Sequence, residues 1–195
     1  MRSHFFAYLS RMRFIQRWAL MRNTAPENVQ EHSHQVAVLA HALAVIHNEK
    51  FGGCVDPGAV TAAALYHDAS EILTGDMPTP VKYKTEPLRR AYKALERDAA
   101  AQLATLAPHP ARRALAGYLT GDVLTEKERQ LLKAADRLSA LIKCIEEENT
   151  GNHEFTGAKA QQTAALHAMQ CPEAEYFLEH MLPCYAWTLD ELSRE

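Results

Sequence analysis

His67 and Asp68 are adjacent, and Glu71 follows one helical turn later. An imidazole nitrogen and a carboxylate oxygen offered side by side can hold one cation, but two donors are too few. The apolar run 62–65 just upstream carries the pair inward. Two further residues extend the donor set. His32 falls on the stripe His32, Val36, Leu39, Leu43, Ile46, whose steps of four, three, four and three place it on the inward face of an earlier helix. Asp136 lies at the edge of a later stripe, four residues after Leu132 and three before Ser139. Two imidazoles and two carboxylates make a mixed nitrogen/oxygen site suited to Mn²⁺, Fe²⁺, Co²⁺, Ni²⁺ or Zn²⁺. Taken singly, each is more often a satisfied core or capping residue. Two carboxylates set among apolar stripes call for a cation.

The elements that must position these side chains all read as helices. A first helix is expected over 3–22, with Phe5, Leu9, Met12, Ile15 or Gln16, and Ala19 at helical spacing, before Asn23-Thr24-Ala25-Pro26 breaks it. Asn28 and Glu31 form a capping-box pattern for a helix over 28–48. Pro57 starts a third, carrying Ala63, Leu65 and Tyr66 to His67-Asp68, which Glu71-Ile72-Leu73 continues or restarts. Gly75-Asp76-Met77-Pro78-Thr79-Pro80 reads as a rigid loop that is not helix interior. A helix over 87–106 follows, with Leu88, Ala91, Leu95, Ala99 and Leu103 on its stripe. A short segment at 111–119 precedes a second capping box, Thr125-x-x-Glu128. This opens a helix to 149 bearing Leu131, Leu132, Ala135, Leu138, Ile142 and Ile145. Two more helices, 154–169 and 173–182, and a short terminal one complete an all-α chain.

The 195 residues are 47% hydrophobic and 23% charged, which suits one domain with a real core and argues against disorder. The net charge of −3 is unevenly spread. Residues 1–26 hold five arginines (Arg2, Arg11, Arg13, Arg17, Arg22) and no carboxylate, leaving 16 basic and 24 acidic side chains for the rest, about −8. A basic edge on an acidic body suits an anionic ligand better than nucleic acid. No apolar run approaches the ~20 residues of a membrane span. The N-terminus lacks the apolar stretch of a signal peptide. Its arginines resemble a transit peptide, but Trp18, Met21 and the motif after them read as folded protein. Cys54, Cys144, Cys171 and Cys184 show no C-x-x-C spacing, so free thiols and a cytoplasmic location are expected.

The pattern H…HD…D on successive helices resembles the HD-domain superfamily of metal-dependent phosphohydrolases. Several blocks resemble more narrowly the bacterial HD-domain 5′-deoxynucleotidases, the YfbR-like family. They are Ser3-His4-Phe5-Phe6-Ala7, Arg17-Trp18, Leu20-Met21-Arg22-Asn23, Glu27-Asn28-Val29-x-Glu31-His32-Ser33, Tyr66 to Glu71, and Gly75-Asp76-x-Pro78-Thr79-Pro80-Val81-Lys82-Tyr83. The resemblance covers essentially the whole chain. It implies one HD domain over 1–195, a helical bundle with its metal-binding core at about 28–145. It implies one divalent cation, Co²⁺ or Mn²⁺ among the options, on His32, His67, Asp68 and Asp136. It further implies hydrolysis of deoxyribonucleoside 5′-monophosphates with rejection of ribonucleotides, and a homodimer. By the same resemblance Arg17 orients the phosphate, Glu71 assists catalysis with Asp68, and Trp18 with Asp76, Met77, Pro78 and Thr79 lines the nucleoside pocket, beside His32 and Asp68.

The residue types suit that chemistry. A divalent metal polarises a phosphoryl oxygen and acidifies bound water. Arg17 offers a planar fork matched to phosphate oxygens. Glu71 can orient water or protonate the leaving 5′ oxygen. A wall such as Trp18 would exclude a 2′-hydroxyl sterically, whereas Asp76 would accept from the 3′-hydroxyl that both sugars share. The remaining histidines lack the inward register that a binuclear site needs. Two rivals stand beside this reading: an HD phosphohydrolase acting on a triphosphate or guanosine tetraphosphate, and a helical nucleotide-sensing module without turnover.

Overall fold

The computed structural model describes residues 3–194, so Arg2 lies outside the described part. The chain opens on α1 (Phe5–Leu9), which tightens into a 3₁₀ turn at Ser10–Phe14. The single helix expected over 3–22 does not form. Residues 15–28 make an irregular loop whose ends pair: the Val29 amide donates to Ile15 O and the Arg17 amide to Glu27 O, both at 2.9 Å. The reason lies in the side chains. The Glu27 carboxylate accepts from both Arg17 and Trp18, and Trp18 takes a left-handed backbone (φ 59°) that a helix excludes. Phe5 and Met12 are buried, while Ala19 is exposed.

The capping boxes act as their sequences imply. Asn28 Oδ1 accepts from the Gln30 and Glu31 amides at 3.0 Å, and Glu31 returns an oxygen to the Asn28 amide at the same distance, opening α2 (Val29–Phe51). Asp56 caps α3 (Pro57–Tyr66), with Pro57 where no amide hydrogen is needed. A turn leads to α4 (Glu71–Thr74), then a loop to α5 (Thr79–Lys82). Here the loop reading of 75–80 needs correction. Pro80 sits in the first turn of α5, where its missing amide hydrogen costs nothing. Helices α6 (Glu86–Leu106), α7 (Arg112–Thr120) and α8 (Glu126–Asn149) follow, the last opened by the Thr125/Glu128 box. A 3₁₀ turn at His153–Phe155 leads into α9 (Thr156–Ala168). After it come α10 (Pro172–His180), a 3₁₀ turn at Leu182–Ala186 and α11 (Leu189–Leu192).

The core forms where α2 packs along α3 and α8. Val36, Leu43, Leu131, Leu138 and Ile142 are fully buried there, and α9 and α10 close it with Leu166 and Phe177. A second cluster joins Phe5, Val29, Ala69, Leu103 and Leu119 beneath the N-terminal loop. Three of the positions expected on the α3 and α6 stripes are exposed instead: Leu65 at 44%, Leu95 at 51%, and Ala91. Helix α6 turns Tyr92 inward in place of Leu95, because the Tyr92 hydroxyl donates to Gly75 O at 3.0 Å and pins the loop before α5.

The N-terminal loop is tied to α8 by a buried ion pair, Lys143 with Glu147. Lys143 Nζ also donates to Ala25 O, and Glu147 accepts from the Thr24 amide at 2.9 Å and the Ala25 amide at 3.1 Å. Burial alone would raise the Glu147 carboxyl, but Lys143 and these amides hold it below the usual carboxylate range. A depressed folded pKa contributes stability at neutral pH that disappears as pH falls through the ordinary carboxylate range and below. Glu147→Gln is therefore expected to be less stable at pH 7, with a gap to the parent that narrows toward pH 3 in urea titrations.

A mixed imidazole and carboxylate cluster

The four expected donors meet. His32 stands in the first turn of α2 with no exposure, His67 and Asp68 in the turn after α3, and Asp136 near the middle of α8. His32 Nε2 lies 3.1 Å from Asp136 Oδ1 and 3.5 Å from Asp68 Oδ2. His67 Nε2 lies 3.2 Å from Asp68 Oδ2 and 4.0 Å from Asp136 Oδ1. The ligand atoms of His32, His67 and Asp68 all fall within 4.8 Å of one another. Asp136 is the most open of the four, its side chain 43% exposed.

The outer hydrogen bonds fix which ring nitrogens face inward. His67 Nδ1 lies 2.7 Å from Ala64 O, a pure acceptor, so that nitrogen carries hydrogen and Nε2 faces the carboxylates. His67 Nε2 is buried with no hydrogen-bond partner among the described residues. Ser139 Oγ donates to Gln35 Oε1 at 2.6 Å, which leaves it to accept from His32 Nδ1 at 3.0 Å and turns His32 Nε2 inward as well. Two inward lone pairs and two carboxylates require a cation at their centre. This outer support is what a metal-ligating histidine uses, and the donor set fits a first-row divalent ion. A proton is the alternative occupant. Burial alone would lower the His67 imidazole, but Asp68 and then Asp136 raise it to about 9.

Arg17 reaches the cluster from the N-terminal loop, Nη1 3.4 Å from Asp68 Oδ2, with its Nε held 3.1 Å from Glu27 Oε2. Asp68 and Glu27 keep it charged against its burial. Trp18 donates Nε1 to the same Glu27 oxygen at 2.9 Å and leans on Phe155, ring centroids 5.3 Å apart. Of the other arginines at the N-terminal edge, Arg11 and Arg13 are exposed and Arg22, also exposed, pairs with Glu154 at 2.8 Å.

Glu71 is 6% exposed, and its Oε2 has no partner among the described residues. Burial pushes its carboxyl up, Asp68 and Asp76 add to that, and together they raise it to about 9. It therefore differs from the solvated acid that its helical position alone suggests. Asp76 is half-buried and raised by burial, with Arg17 opposing. Met77 and Pro78 follow in the loop and Thr79 opens α5, and among the described residues no side-chain hydrogen bond links them to the cluster.

Sequence reasoning gave no role to Glu27, Gln35, Ser139 or the Lys143–Glu147 pair. Glu27 precedes a capping Asn, and Lys143 and Glu147 are spaced like a surface i,i+4 pair, so only their tertiary partners reveal them.

Helices α2, α3 and α8 around a His, His-Asp, Asp cluster define an HD-domain phosphohydrolase. An HD-domain phosphohydrolase from Listeria innocua superposes with a TM-score of 0.80 at 27% identity, over 93% of this chain and 88% of that one. The family described as 5′-deoxynucleotidase YfbR-like matches residues 4–185. A 5′-deoxynucleotidase of Vibrio parahaemolyticus is 47% identical over 191 residues, 98% of each chain. The 5′-deoxynucleotidase YfbR of Escherichia coli is 47% identical over 193 residues, 99% of this chain and 97% of that one. This chain belongs to the YfbR-like 5′-deoxynucleotidase family.

Proposed function

We propose that the chain hydrolyses deoxyribonucleoside 5′-monophosphates to deoxyribonucleosides and phosphate, and discriminates against ribonucleotides. The observation that carries this reading is the convergence of His32, His67, Asp68 and Asp136 with the inward His67 nitrogen unpartnered, in a chain of this family. Those four residues would hold one divalent ion, Co²⁺ or Mn²⁺ serving in vitro, and such an ion polarises a phosphoryl oxygen and acidifies water when bound. Arg17 has its Nε and Nη1 engaged by Glu27 and Asp68, which leaves Nη2 to grip the phosphate. Glu71 delivers a proton to the leaving 5′ oxygen. Its raised carboxyl supplies that proton, and a cation nearby lowers it toward the range where a general acid works at neutral pH. Trp18 walls the sugar. Asp76 accepts from the 3′-hydroxyl, and Met77, Pro78 and Thr79 floor the base.

We further take residues 1–195 as one HD domain, acting as a homodimer in the cytoplasm. Four free cysteines suit a reducing compartment, and no described helix is long and apolar enough to cross a membrane. The test is phosphate release by the purified protein with Co²⁺ or Mn²⁺. Release from dAMP and dTMP with little from AMP is expected, and chelation abolishes it. Equal turnover of AMP removes the selectivity, and no release from any monophosphate removes the reaction.

A further inference from the structure

A cavity of about 830 Å³ opens onto His67 and Asp68 between α6 and α7. Arg17, Trp18 and residues 76–79 are not among the residues that line it. Its α6 wall carries Arg90, Lys93 and Arg97, three cations at steps of three and four on one side of the helix. The neighbouring acids are largely engaged elsewhere. Glu86 holds Arg90 at 2.8 Å. Glu96 is taken by Lys82 at 2.6 Å; Asp122 accepts the Thr120 hydroxyl at 2.7 Å and keeps its charge at the far wall, on α7's C-terminal side. Among the described residues, no carboxylate lies within 4.0 Å of Lys93 or Arg97. Like charges one turn apart repel each other, and here they do so over a cavity that ends at a cation-binding pair. An anion between Lys93 and Arg97 relieves that repulsion.

We propose that Lys93 and Arg97 form a second phosphate-group site in this cavity, beside the His67–Asp68 pair. Lys93 supplies a compact point charge and Arg97 a planar fork, the two forms in which side chains grip phosphate oxygens. Hydrolysis of a monophosphate offers two sources of that group: the substrate's own phosphate on entry, and orthophosphate on release. The choice of phosphate over other small anions rests on the reaction proposed above; the site itself does not.

The test uses inorganic phosphate binding, read by calorimetry on the Mn²⁺-loaded protein. The double variant Lys93→Gln/Arg97→Gln is expected to bind phosphate at least about tenfold more weakly, from the loss of two charge-assisted contacts. Each single variant gives a partial loss, and the thermal midpoint stays unchanged because both side chains are exposed. Lys133→Gln, an exposed lysine outside the cavity lining, keeps parental affinity. Parental phosphate binding by the double variant overturns the site, as does an equal loss in Lys133→Gln. Steady-state kinetics with dAMP then separate the sources. A KM that rises together with the phosphate inhibition constant assigns the substrate's phosphate; a rise in the inhibition constant alone assigns the product. Phosphate binding that depends on Lys93 and Arg97 in a protein that hydrolyses no monophosphate upholds the site and rejects the reaction.

Discussion

Turnover of dAMP by the Glu71→Gln variant is expected to fall by about 10²–10⁴, the usual contribution of a positioned general acid. Bound metal and nucleotide affinity are expected to stay near those of the parent. Glutamine keeps the size and shape of the protonated acid but has no acidic proton to give. Glu71 sits one turn beyond Asp68, its amide donating to Asp68 O at 3.0 Å, so the substitution leaves the backbone of the ligand turn intact. Placing a carboxylic acid in a 6% exposed position beside Asp68 and Asp76 costs stability, which marks it as a group kept for chemistry. The cost is that of protonating on folding a carboxyl that is ionised in the unfolded chain at pH 7, and glutamine does not ionise, so Glu71→Gln is also expected to melt at or above the parent temperature. Loss of the metal from this variant would make Glu71 a ligand and refute its role as acid.

His67→Ala is expected to lose the divalent ion and activity together. Changes in the support around a ligand lower metal affinity by about 10–100-fold, and removal of a ligand costs more. Ser139→Ala provides the graded contrast. It removes the hydroxyl that orients His32 Nδ1 and is expected to cost about 10–100-fold in metal affinity while leaving the four donors in place. The His67 side chain belongs to neither aliphatic cluster, so the alanine variant is expected to fold. Metal affinity of the parent is expected to climb with pH toward about 9, because the ion must displace a proton drawn to His67 by Asp68 and Asp136. A His67→Ala protein that retains one tight ion per chain would contradict the cluster as its site.

Local rules made much of this chain legible. The capping boxes at Asn28 and Thr125 start α2 and α8 where their sequences place them, because side-chain caps are decided within four residues. His32 is legible because it continues a stripe whose next members, Val36, Leu39 and Leu43, are buried. The N-terminal segment was not. Its apolar spacing fits a helix, but the fold there is decided by Glu27, ten residues from Arg17, and by Glu147, more than a hundred residues away. The inward face of α6 lies a fraction of a turn from the one its periodicity predicts, since Tyr92 gains a bond to Gly75 that no periodicity contains. The burial of Glu71 was likewise beyond the pattern, being set by how α4 packs against α6. Features fixed by neighbours in sequence were readable; those fixed by one distant partner were not.

If the four-residue cluster holds one ion and hydrolysis occurs there, metal-stripped protein titrated with Mn²⁺ shows it when bound metal and phosphate release from dAMP are measured on the same samples. Release is expected to rise in proportion to the filling of one site per chain and to level off when that site is full. Release from the stripped protein, or a filled site with no release, would contradict it.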